Sequence, residues 1–282
     1  MTNPSLEQQT IFSHVETKLS TSLLIHASAG SGKTTTIVEA ACRMPTSHMQ
    51  RFLAFNKSIA AELSERLPKT CEASTFHSLG VGAIRASGRK VKVSGDKTRW
   101  IAKPLLTKKS ELQTYMGAVC RLVGYAKNAG VGITAENTPS AWLDLIARYA
   151  LDHEGDDARL VEVARRAFEL SLSSHEIDFD DMLYWPVVFN LPFNRCSTVF
   201  VDEAQDTNVL QKEILRRMIF PSGRVIAVGD PSQAIYGFRG ADSGALSSLV
   251  VAFNMETLPL SVSYRCSKAV VEEARKFDKG TI

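Results

Sequence analysis

The residues with the clearest chemistry form a glycine-rich run that ends in a lysine and a threonine. Residues 27–34 read Ala-Ser-Ala-Gly-Ser-Gly-Lys-Thr, which fits the phosphate-loop pattern G-x-x-x-x-G-K-[ST] except that alanine stands at the first glycine. Gly30 and Gly32 allow the backbone N–H groups to face phosphate oxygens at the start of a helix. Lys33 is then expected to reach the β and γ phosphates, and Thr34 to offer its hydroxyl to Mg²⁺. A glycine-rich turn between a strand and a helix is the structural alternative.

Two adjacent carboxylates supply the second half of that chemistry. The apolar run 199–201 ends in Asp202 and Glu203, so a strand there would deliver both acids to one edge of a sheet. Asp202 is expected to hold Mg²⁺, and Glu203 to orient or deprotonate an attacking water in hydrolysis. The structural alternative is an acid pair at a helix N-terminus, which the helix macrodipole would stabilise.

A third run combines a polar amide with aromatic side chains and a cation. Gln233 follows the apolar run 225–228, which places it at the carboxyl end of a strand, where open α/β sheets bind ligands. Tyr236, Phe238 and Arg239 offer ring faces and a positive charge, which suit unpaired bases and phosphate. If both halves are used, one loop connects a nucleotide to a nucleic-acid strand. Otherwise the run is a glycine-rich turn with a buried aromatic pair.

These motifs need a frame that brings several strand ends together. Short β-rich runs punctuated by helical patterns occupy both ends of the chain, which predicts an α/β fold with a parallel sheet flanked by helices. Strands are predicted at 23–25, 52–55, 198–201 and 225–228, and helices at 34–43, 58–66, 208–218 and 267–277. Between residues 82 and 174 the strand signals fade. Helical periodicity there, as in 141–151 and 158–172, predicts a mostly helical insertion.

Composition excludes several classes of protein. The chain has 282 residues, of which 44% are hydrophobic and 22% are charged, as in ordinary soluble globular domains. No apolar run approaches the roughly 20 residues of a membrane span, and the first residues lack a signal-peptide pattern. We therefore expect a cytoplasmic protein without a membrane partner. The five cysteines are scattered without a CxxC pair, which argues against a disulfide framework and a zinc site.

Positive charge is concentrated in one stretch of the chain. The net charge is only +3, but residues 85–109 hold nine lysines and arginines against a single acid, Asp96. Such a stretch could follow a phosphate backbone through counterion release. A solvated face without a ligand is the alternative.

A group of acids and two tryptophans also have structural and functional interpretations. Asp178, Asp180 and Asp181 could ligate a divalent metal, as in a nuclease. Adjacent acids near a helix start, followed by apolar residues that pack inward, are explained more simply by capping and dipole effects. Trp142 and Trp185 are expected in the core and not as platforms for bases.

The order of these motifs, together with further runs, resembles the UvrD/Rep/PcrA-like family of superfamily 1 helicases. The matching runs are a segment around Gln8, the phosphate loop, 54–57, 74–78, 177–181, 202–207, the run that holds Gln233, and 260–267. The resemblance covers nearly the whole chain apart from the insertion. It implies that residues 1–81 and 175–282 form a RecA-like ATP-binding lobe with a helical insertion subdomain at 82–174. It also implies an ATP-dependent DNA helicase, a DNA-stimulated ATPase that uses Mg²⁺ and moves 3′ to 5′ on single-stranded DNA.

The resemblance implies roles for individual residues. Gln8 would read the adenine edge, or Gln9 in a shifted register, and Tyr264 would stack on the ring. Gln233 would contact the γ phosphate, and Arg265 would neutralise charge there; with Lys33 and Glu203 these two complete the implied catalytic set. The residues implied for nucleotide binding are Gln8, Ala29, Gly30, Ser31, Gly32, Lys33, Thr34, Thr35 and Tyr264, with Thr34 and Asp202 at the metal. Those implied for single-stranded DNA are Phe55, Asn56, Lys57, Thr75, His77, Tyr236, Phe238 and Arg239.

One position departs from the family pattern, and another has a structural alternative. The family often has an arginine that stacks on adenine where this chain has Thr35, which leaves more of the base to Tyr264. His77 is equally well explained as a core histidine. The expected partners are single-stranded DNA and duplex junctions, bound by a monomer.

The resemblance also raises the question of a second lobe. Family members continue into a second RecA-like lobe that closes on ATP and adds an arginine, whereas this sequence stops at Ile282. The expectation is a first motor lobe that binds ATP and hydrolyses it slowly on its own, because an arginine finger contributes about 10³ to 10⁵ in rate. Two other functions are a nucleotide-gated DNA-binding module with little turnover and a P-loop kinase for a small molecule.

Overall fold

A parallel sheet forms the centre of the computed structural model, which describes residues 3–233 and 244–265 together with Ala269. In chain order the strands are β1 (Leu23–Ala27), β2 (Gln50–Leu53), β3 (Cys71–Ser74), β4 (Lys92–Val93), β5 (Glu176–Ile177), β6 (Cys196–Val201), β7 (Ile219–Gly229) and β8 (Glu256–Leu260). Six of them form one sheet in the order β3-β2-β6-β7-β1-β8, and β4 pairs with β5 in a separate ribbon. The paired strands run parallel. The predicted α/β class with a parallel sheet is confirmed.

Helices flank this sheet and fill the long interval between β3 and β6. They are α1 (Leu6–Thr17), α2 (Lys33–Cys42), α3 (Lys57–Arg66), α4 (Phe76–Ala86), α5 (Lys97–Ala102), α6 (Lys109–Asn128), α7 (Pro139–Arg148), α8 (Asp157–Ser171), α9 (Asp181–Val188), α10 (Val209–Met218) and α11 (Ala245–Phe253). The helix predicted at 267–277 lies outside the described residues. Within the described ranges, no helix combines the length and the apolarity needed to cross a membrane.

Two apolar clusters cover the two faces of the sheet, because side chains alternate along each strand. Leu23, Ile25 and Phe52 belong to the cluster that also holds α2. Leu24 and Leu53, on the opposite face, belong to a cluster that continues into α6, α7 and α8. The mostly helical segment between β4 and β5 therefore shares a core with one face of the sheet.

Both tryptophans in question are core residues. Trp142 is 0% exposed and Trp185 is 1% exposed. The ring of Trp142 packs edge-on against Phe168, with centroids 5.4 Å apart. The expectation that these side chains pack in the interior is confirmed.

Two of the three acids at the start of α9, Asp178 and Asp181, are buried with two lysines. Lys127 Nζ lies 2.9 Å from Asp178 Oδ2 and 2.8 Å from Asp181 Oδ1. Lys97 Nζ donates to Asp181 Oδ2 at 2.6 Å and to the Ser171 carbonyl at 2.7 Å. We call Lys97, Lys127, Asp178 and Asp181 the buried charge cluster. It joins α5 and α6 to the start of α9.

This cluster changes the interpretation of two sequence features. The alternative of a nuclease-like metal site is wrong for the part of the chain that is described, which contains no group of three or more His, Cys, Asp or Glu able to hold a metal ion. Lys97 belongs to the basic stretch 85–109 but is 1% exposed. A solvated or phosphate-binding face is therefore wrong for Lys97, whereas the other eight cations of the stretch are exposed.

Candidate functional site

The carboxyl ends of three adjacent strands meet at one edge of the sheet. β6, β7 and β1 are neighbours in the strand order. Asp202 follows β6, Asp230 follows β7, and the phosphate loop follows β1. Because the strands are parallel, these groups converge at a place where α/β sheets bind ligands.

The phosphate loop has the backbone that its glycines predict. Gly30 and Gly32 have φ of 74° and 79°, and α2 begins at Lys33 directly after Gly32. These φ values favour glycine, because a Cβ is strained there. The bend leaves the N-terminus of α2 facing the edge of the sheet, an arrangement that attracts phosphate.

Two buried polar atoms of this loop fit a phosphate ligand. Ser31 Oγ and Lys33 Nζ are buried, and neither has a hydrogen-bond partner among the described residues. Lys33 Nζ lies 3.7 Å from Asp230 Oδ2, close enough for an ion pair but too far for a hydrogen bond. Buried polar groups normally have partners, so these two atoms suit the oxygens of a nucleotide.

The residues expected at the metal lie in contact with each other. Thr34 Oγ1 donates a hydrogen bond to Asp202 Oδ2 at 2.9 Å. Burial raises the pKa of Asp202, and the hydrogen bond from Thr34 opposes that rise. A hydroxyl and a carboxylate beside a phosphate site fit Mg²⁺, which is usually bound by one or two protein carboxylates together with phosphates and water.

Glu203 has an unusual backbone conformation, and its carboxylate accepts a hydrogen bond from a glutamine that the sequence analysis did not single out. Its φ is 51°, in the left-handed region that non-glycine residues seldom adopt. Gln205 Nε2 donates to Glu203 Oε2 at 2.8 Å, and Gln205 Oε1 accepts from the Asp230 N–H at 3.1 Å. Gln205 therefore fixes Glu203 relative to the end of β7. The only sequence signal was its place in the run 202–207.

Gln233 and Asp206 complete this edge of the site. Gln233 Nε2 donates to Asp230 Oδ2 at 2.7 Å, the same oxygen that faces Lys33. Asp206 was also missed in the sequence analysis. Burial and the nearby charge of Glu203 raise the pKa of Asp206 to about 6, while Lys33 opposes that rise.

The segment after β8 lies against the phosphate loop. The Tyr264 N–H donates to the Gly30 carbonyl at 2.9 Å. A Cβ built on Gly30 would lie 2.7 Å from Arg265 Cβ, so Gly30 also permits this close approach. The structure thus brings both Tyr264 and Arg265 to the predicted nucleotide site, where the Tyr264 side chain is 63% exposed.

The N-terminal helix contacts the other side of α2. Gln8 Oε1 accepts from the Ser5 N–H at 2.9 Å, and Gln8 Nε2 donates to Thr36 Oγ1 at 3.1 Å. Gln9 is exposed, and its amide donates to the Pro4 carbonyl. Of the two glutamines, Gln8 is the one that contacts the helix of the phosphate loop.

A cavity of about 720 Å³ adjoins the nucleotide site. Its lining includes Phe55, His77 and Phe179, and it extends to Glu203 and Asp206. Phe55 is 43% exposed and Phe179 is 62% exposed. The Phe179 ring meets His77 edge-on with centroids 6.5 Å apart. Burial lowers the pKa of His77, which favours the neutral imidazole.

Of the other residues implied for DNA binding, two cap helices and three lie outside the described residues. Asn56 and Thr75 are the N-caps of α3 and α4, where their side-chain oxygens accept from Ile59 N–H at 2.9 Å and Ser78 N–H at 3.1 Å. Thr75 is 4% exposed. Lys57 is exposed at the start of α3, and Tyr236, Phe238 and Arg239 lie outside the described residues.

Two further residues were implied for nucleotide binding. Ala29 lies in the phosphate loop, and Thr35 is exposed in α2.

Comparison with known proteins gives a consistent set of matches. The profile of the UvrD/REP helicase N-terminal domain matches residues 7–254. The chain is 26% identical to the ATP-dependent DNA helicase PcrA of Staphylococcus aureus, over 91% of this chain and 38% of that protein. It is 24% identical to the protein of that name from Staphylococcus epidermidis over the same shares. The chain thus spans 38% of the length of these relatives. The family indicated by the ordered motifs is confirmed.

Proposed function

Because the chain belongs to the UvrD/REP helicase N-terminal domain family, we propose that it is the ATP-binding and ATP-hydrolysing motor lobe of a superfamily 1 DNA helicase. The main support is the phosphate loop, where Ser31 Oγ and Lys33 Nζ are buried without a hydrogen-bond partner among the described residues, beside Asp202 and Asp230. In this proposal residues 1–81 and 175–282 form the lobe, and 82–174 form its insertion.

The phosphate loop would bind the triphosphate of ATP. The N–H groups at the start of α2 and the Lys33 ammonium face the same edge of the sheet and would neutralise the β and γ phosphates. Thr34 and Asp202 would hold Mg²⁺, which when bound supplies further positive charge to the phosphate oxygens. Gln8 and Tyr264 flank this loop and are proposed to hold the adenine.

Glu203 is proposed to act as the general base. Its carboxylate would orient the attacking water and accept a proton from it. The hydrogen bond from Gln205 restricts the rotation of this carboxylate, so Gln205 positions the base without touching the reacting atoms. Gln233 and Arg265 are proposed to contact the γ phosphate and to neutralise charge that develops there.

The adjoining cavity is proposed to hold single-stranded DNA. Phe55 and Phe179 offer exposed ring faces at its wall, and stacking on such rings contributes about 1 to 3 kcal/mol per base. The same cavity reaches Glu203, so a bound strand would lie close to the hydrolytic group. Tyr236 and Phe238 are proposed to add to this grip. Movement from 3′ to 5′ is proposed from the resemblance of the motif set.

The test of the ATP site is Lys33→Ala. We expect the variant to lose ATP binding or hydrolysis, measured by equilibrium titration and phosphate release. Lys109→Ala, an exposed lysine at the start of α6, is the matched control and should keep both. Full activity in Lys33→Ala would refute the phosphate-loop assignment.

The test of the DNA site uses two pairs of substitutions. Phe55→Ala with Phe179→Ala, and Tyr236→Ala with Phe238→Ala, should each weaken binding of single-stranded DNA by a few kcal/mol, that is about 1 to 3 per ring, with ATP affinity unchanged. Unchanged DNA affinity in both double variants would refute this assignment. ATP binding without DNA-stimulated phosphate release in the wild type would favour the nucleotide-gated binding module.

A further inference from the structure

Two short hydrogen bonds join the N-terminal helix to the segment after β8. Glu7 lies in the first turn of α1, and Ser261 directly follows β8. The Ser261 N–H donates to Glu7 Oε2 at 2.7 Å, and Ser261 Oγ donates to Glu7 Oε1 at 2.7 Å. Hydrogen bonds to an ionised acceptor are stronger than neutral ones. We call this contact the Glu7–Ser261 clasp.

The clasp joins the two segments that carry Gln8 and Tyr264, the side chains at the phosphate loop. Gln8 follows Glu7 in the chain and contacts Thr36 of α2. Tyr264 follows Ser261 by three residues and contacts the Gly30 carbonyl. Both sides of the clasp therefore touch the loop and its helix, and the clasp itself connects them to each other.

Building on the proposed ATP-binding function, we propose that Glu7 is a positioning residue for recognition of the nucleobase. Through Ser261 it holds the segment 261–265, and with it Tyr264, at a fixed distance from Gln8. Loss of the clasp would remove one of the contacts that hold the segment of Tyr264, and the Tyr264 ring would then occupy the position proposed to cover the base in a smaller fraction of the molecules. The apparent affinity for ATP then falls in proportion to the fraction of molecules that remain competent.

Binding of a phosphate chain without a base serves as an internal control for this effect on base recognition. The clasp does not include any phosphate-loop residue, so Ser31, Lys33 and the N-terminus of α2 are expected to keep their positions when it is broken. Binding of inorganic tripolyphosphate, which has no base, should therefore be independent of Glu7. A general loss of folding would instead weaken both probes.

The chain also offers a matched structural control. Lys18 Nζ donates to Glu256 Oε1 at 2.8 Å, which joins the residue after α1 to the first residue of β8. This contact connects the same two regions as the clasp. At about 3.3 Å per strand residue it lies roughly 16 Å from Ser261, far from Tyr264. Glu256→Ala should therefore weaken the same interface without affecting the base.

The experiment compares equilibrium binding of ATP and of tripolyphosphate to the wild type and to four variants. Glu7→Ala should bind ATP about tenfold more weakly, as expected if the competent fraction falls to about a tenth, with tripolyphosphate unchanged. Ser261→Ala keeps the backbone bond and should show a smaller loss, as should Glu7→Gln, which keeps one acceptor oxygen. Glu256→Ala should match the wild type with both probes.

Each other outcome overturns the inference. ATP affinity unchanged in Glu7→Ala, or reduced equally in Glu256→Ala, would refute a positioning role. Equal losses of ATP and tripolyphosphate would assign Glu7 to support of the phosphate loop. A wild type that binds neither probe would instead refute the proposed ATP-binding function, so the two failures are distinguishable. Glu7→Gln provides the test if Glu7→Ala does not fold.

Discussion

Replacement of Lys127 by methionine should destabilise the protein strongly. The Lys127 side chain is 0% exposed, and its ammonium contacts Asp178 and Asp181 at 2.9 Å and 2.8 Å. At an effective dielectric constant of about 20, each contact is an attraction of roughly 6 kcal/mol. Relief of the desolvation of Lys127 offsets part of this. Removing one partner of a buried ion pair typically costs about 3 to 5 kcal/mol, and we expect a loss of that size.

Chemical denaturation at neutral pH measures this loss as a lower midpoint at an unchanged slope. Lys109→Met, in the exposed first turn of the same helix, should change stability by less than about 0.5 kcal/mol. Lys127→Met combined with Asp178→Asn should recover part of the loss, because the unpaired carboxylate is then neutral. A loss below about 1 kcal/mol in Lys127→Met would refute the reasoning, since a buried carboxylate without its cation is far more costly.

The same cluster predicts a dependence of stability on pH. Lys127 and the hydrogen bonds to Asp178 outweigh burial and lower the pKa of Asp178 to about 2. A folded-state pKa below the unfolded value stabilises the fold above the unfolded pKa, and the stabilisation is lost as pH falls from about 4 to about 2. Because Lys127→Met removes the main cause of the shift, its stability should change less over this window.

Two further substitutions test the nucleotide edge. Gly30→Ala should reduce both thermal stability and ATP affinity more than Gly32→Ala. Both positions have positive φ, but only at Gly30 would the new Cβ approach other atoms, at 2.7 Å from Arg265 Cβ. Equal effects of the two substitutions would contradict the packing of Arg265 on the loop. Asp206→Asn should raise the melting temperature at pH 8 more than at pH 4. The pKa of Asp206 is raised to about 6, so the wild type loses stability as pH rises through that value and the side chain ionises. An equal change in melting temperature at both pH values would contradict the burial of this charge.

Local signals predicted the central strands and their helices well. Helical patterns predicted α3 and α10, which begin within a residue of the predicted starts. The sequence analysis missed β3 and β8, which are the two edge strands of the sheet. β3 reads Cys-Glu-Ala-Ser, and β8 contains Pro259. Edge strands bury only part of their surface and tolerate proline, so neither has the apolar run that identified the inner strands.

The motifs predicted which residues meet at the site, but not how they are held. Lys33, Thr34, Asp202 and Gln233 belong to recognisable runs, and the parallel sheet brings their strand ends together. The role of Gln205 depends on its contact with the N–H of Asp230, 25 residues later. Contacts between residues so far apart in the sequence depend on how whole helices and strands pack, so a local sequence pattern cannot predict them.

A chain of polar contacts links the N-cap of α10 to the wall of the cavity proposed for DNA. Asn208, the N-cap of α10, donates through Nδ2 to Asn128 Oδ1 at 2.8 Å. Asn128 Nδ2 in turn donates to Asp180 Oδ1 at 2.8 Å, next to Phe179 in the cavity wall. Asn128, in α6, thus connects α10 to Asp180, the residue next to Phe179. A shift of α10 relative to the sheet would therefore act on Asp180, and through it on Phe179, by directional hydrogen bonds as well as through the apolar core. Because hydrogen bonds are directional, this pair of bonds constrains the orientation of the segment that holds Asp180 and Phe179 more than apolar packing alone would.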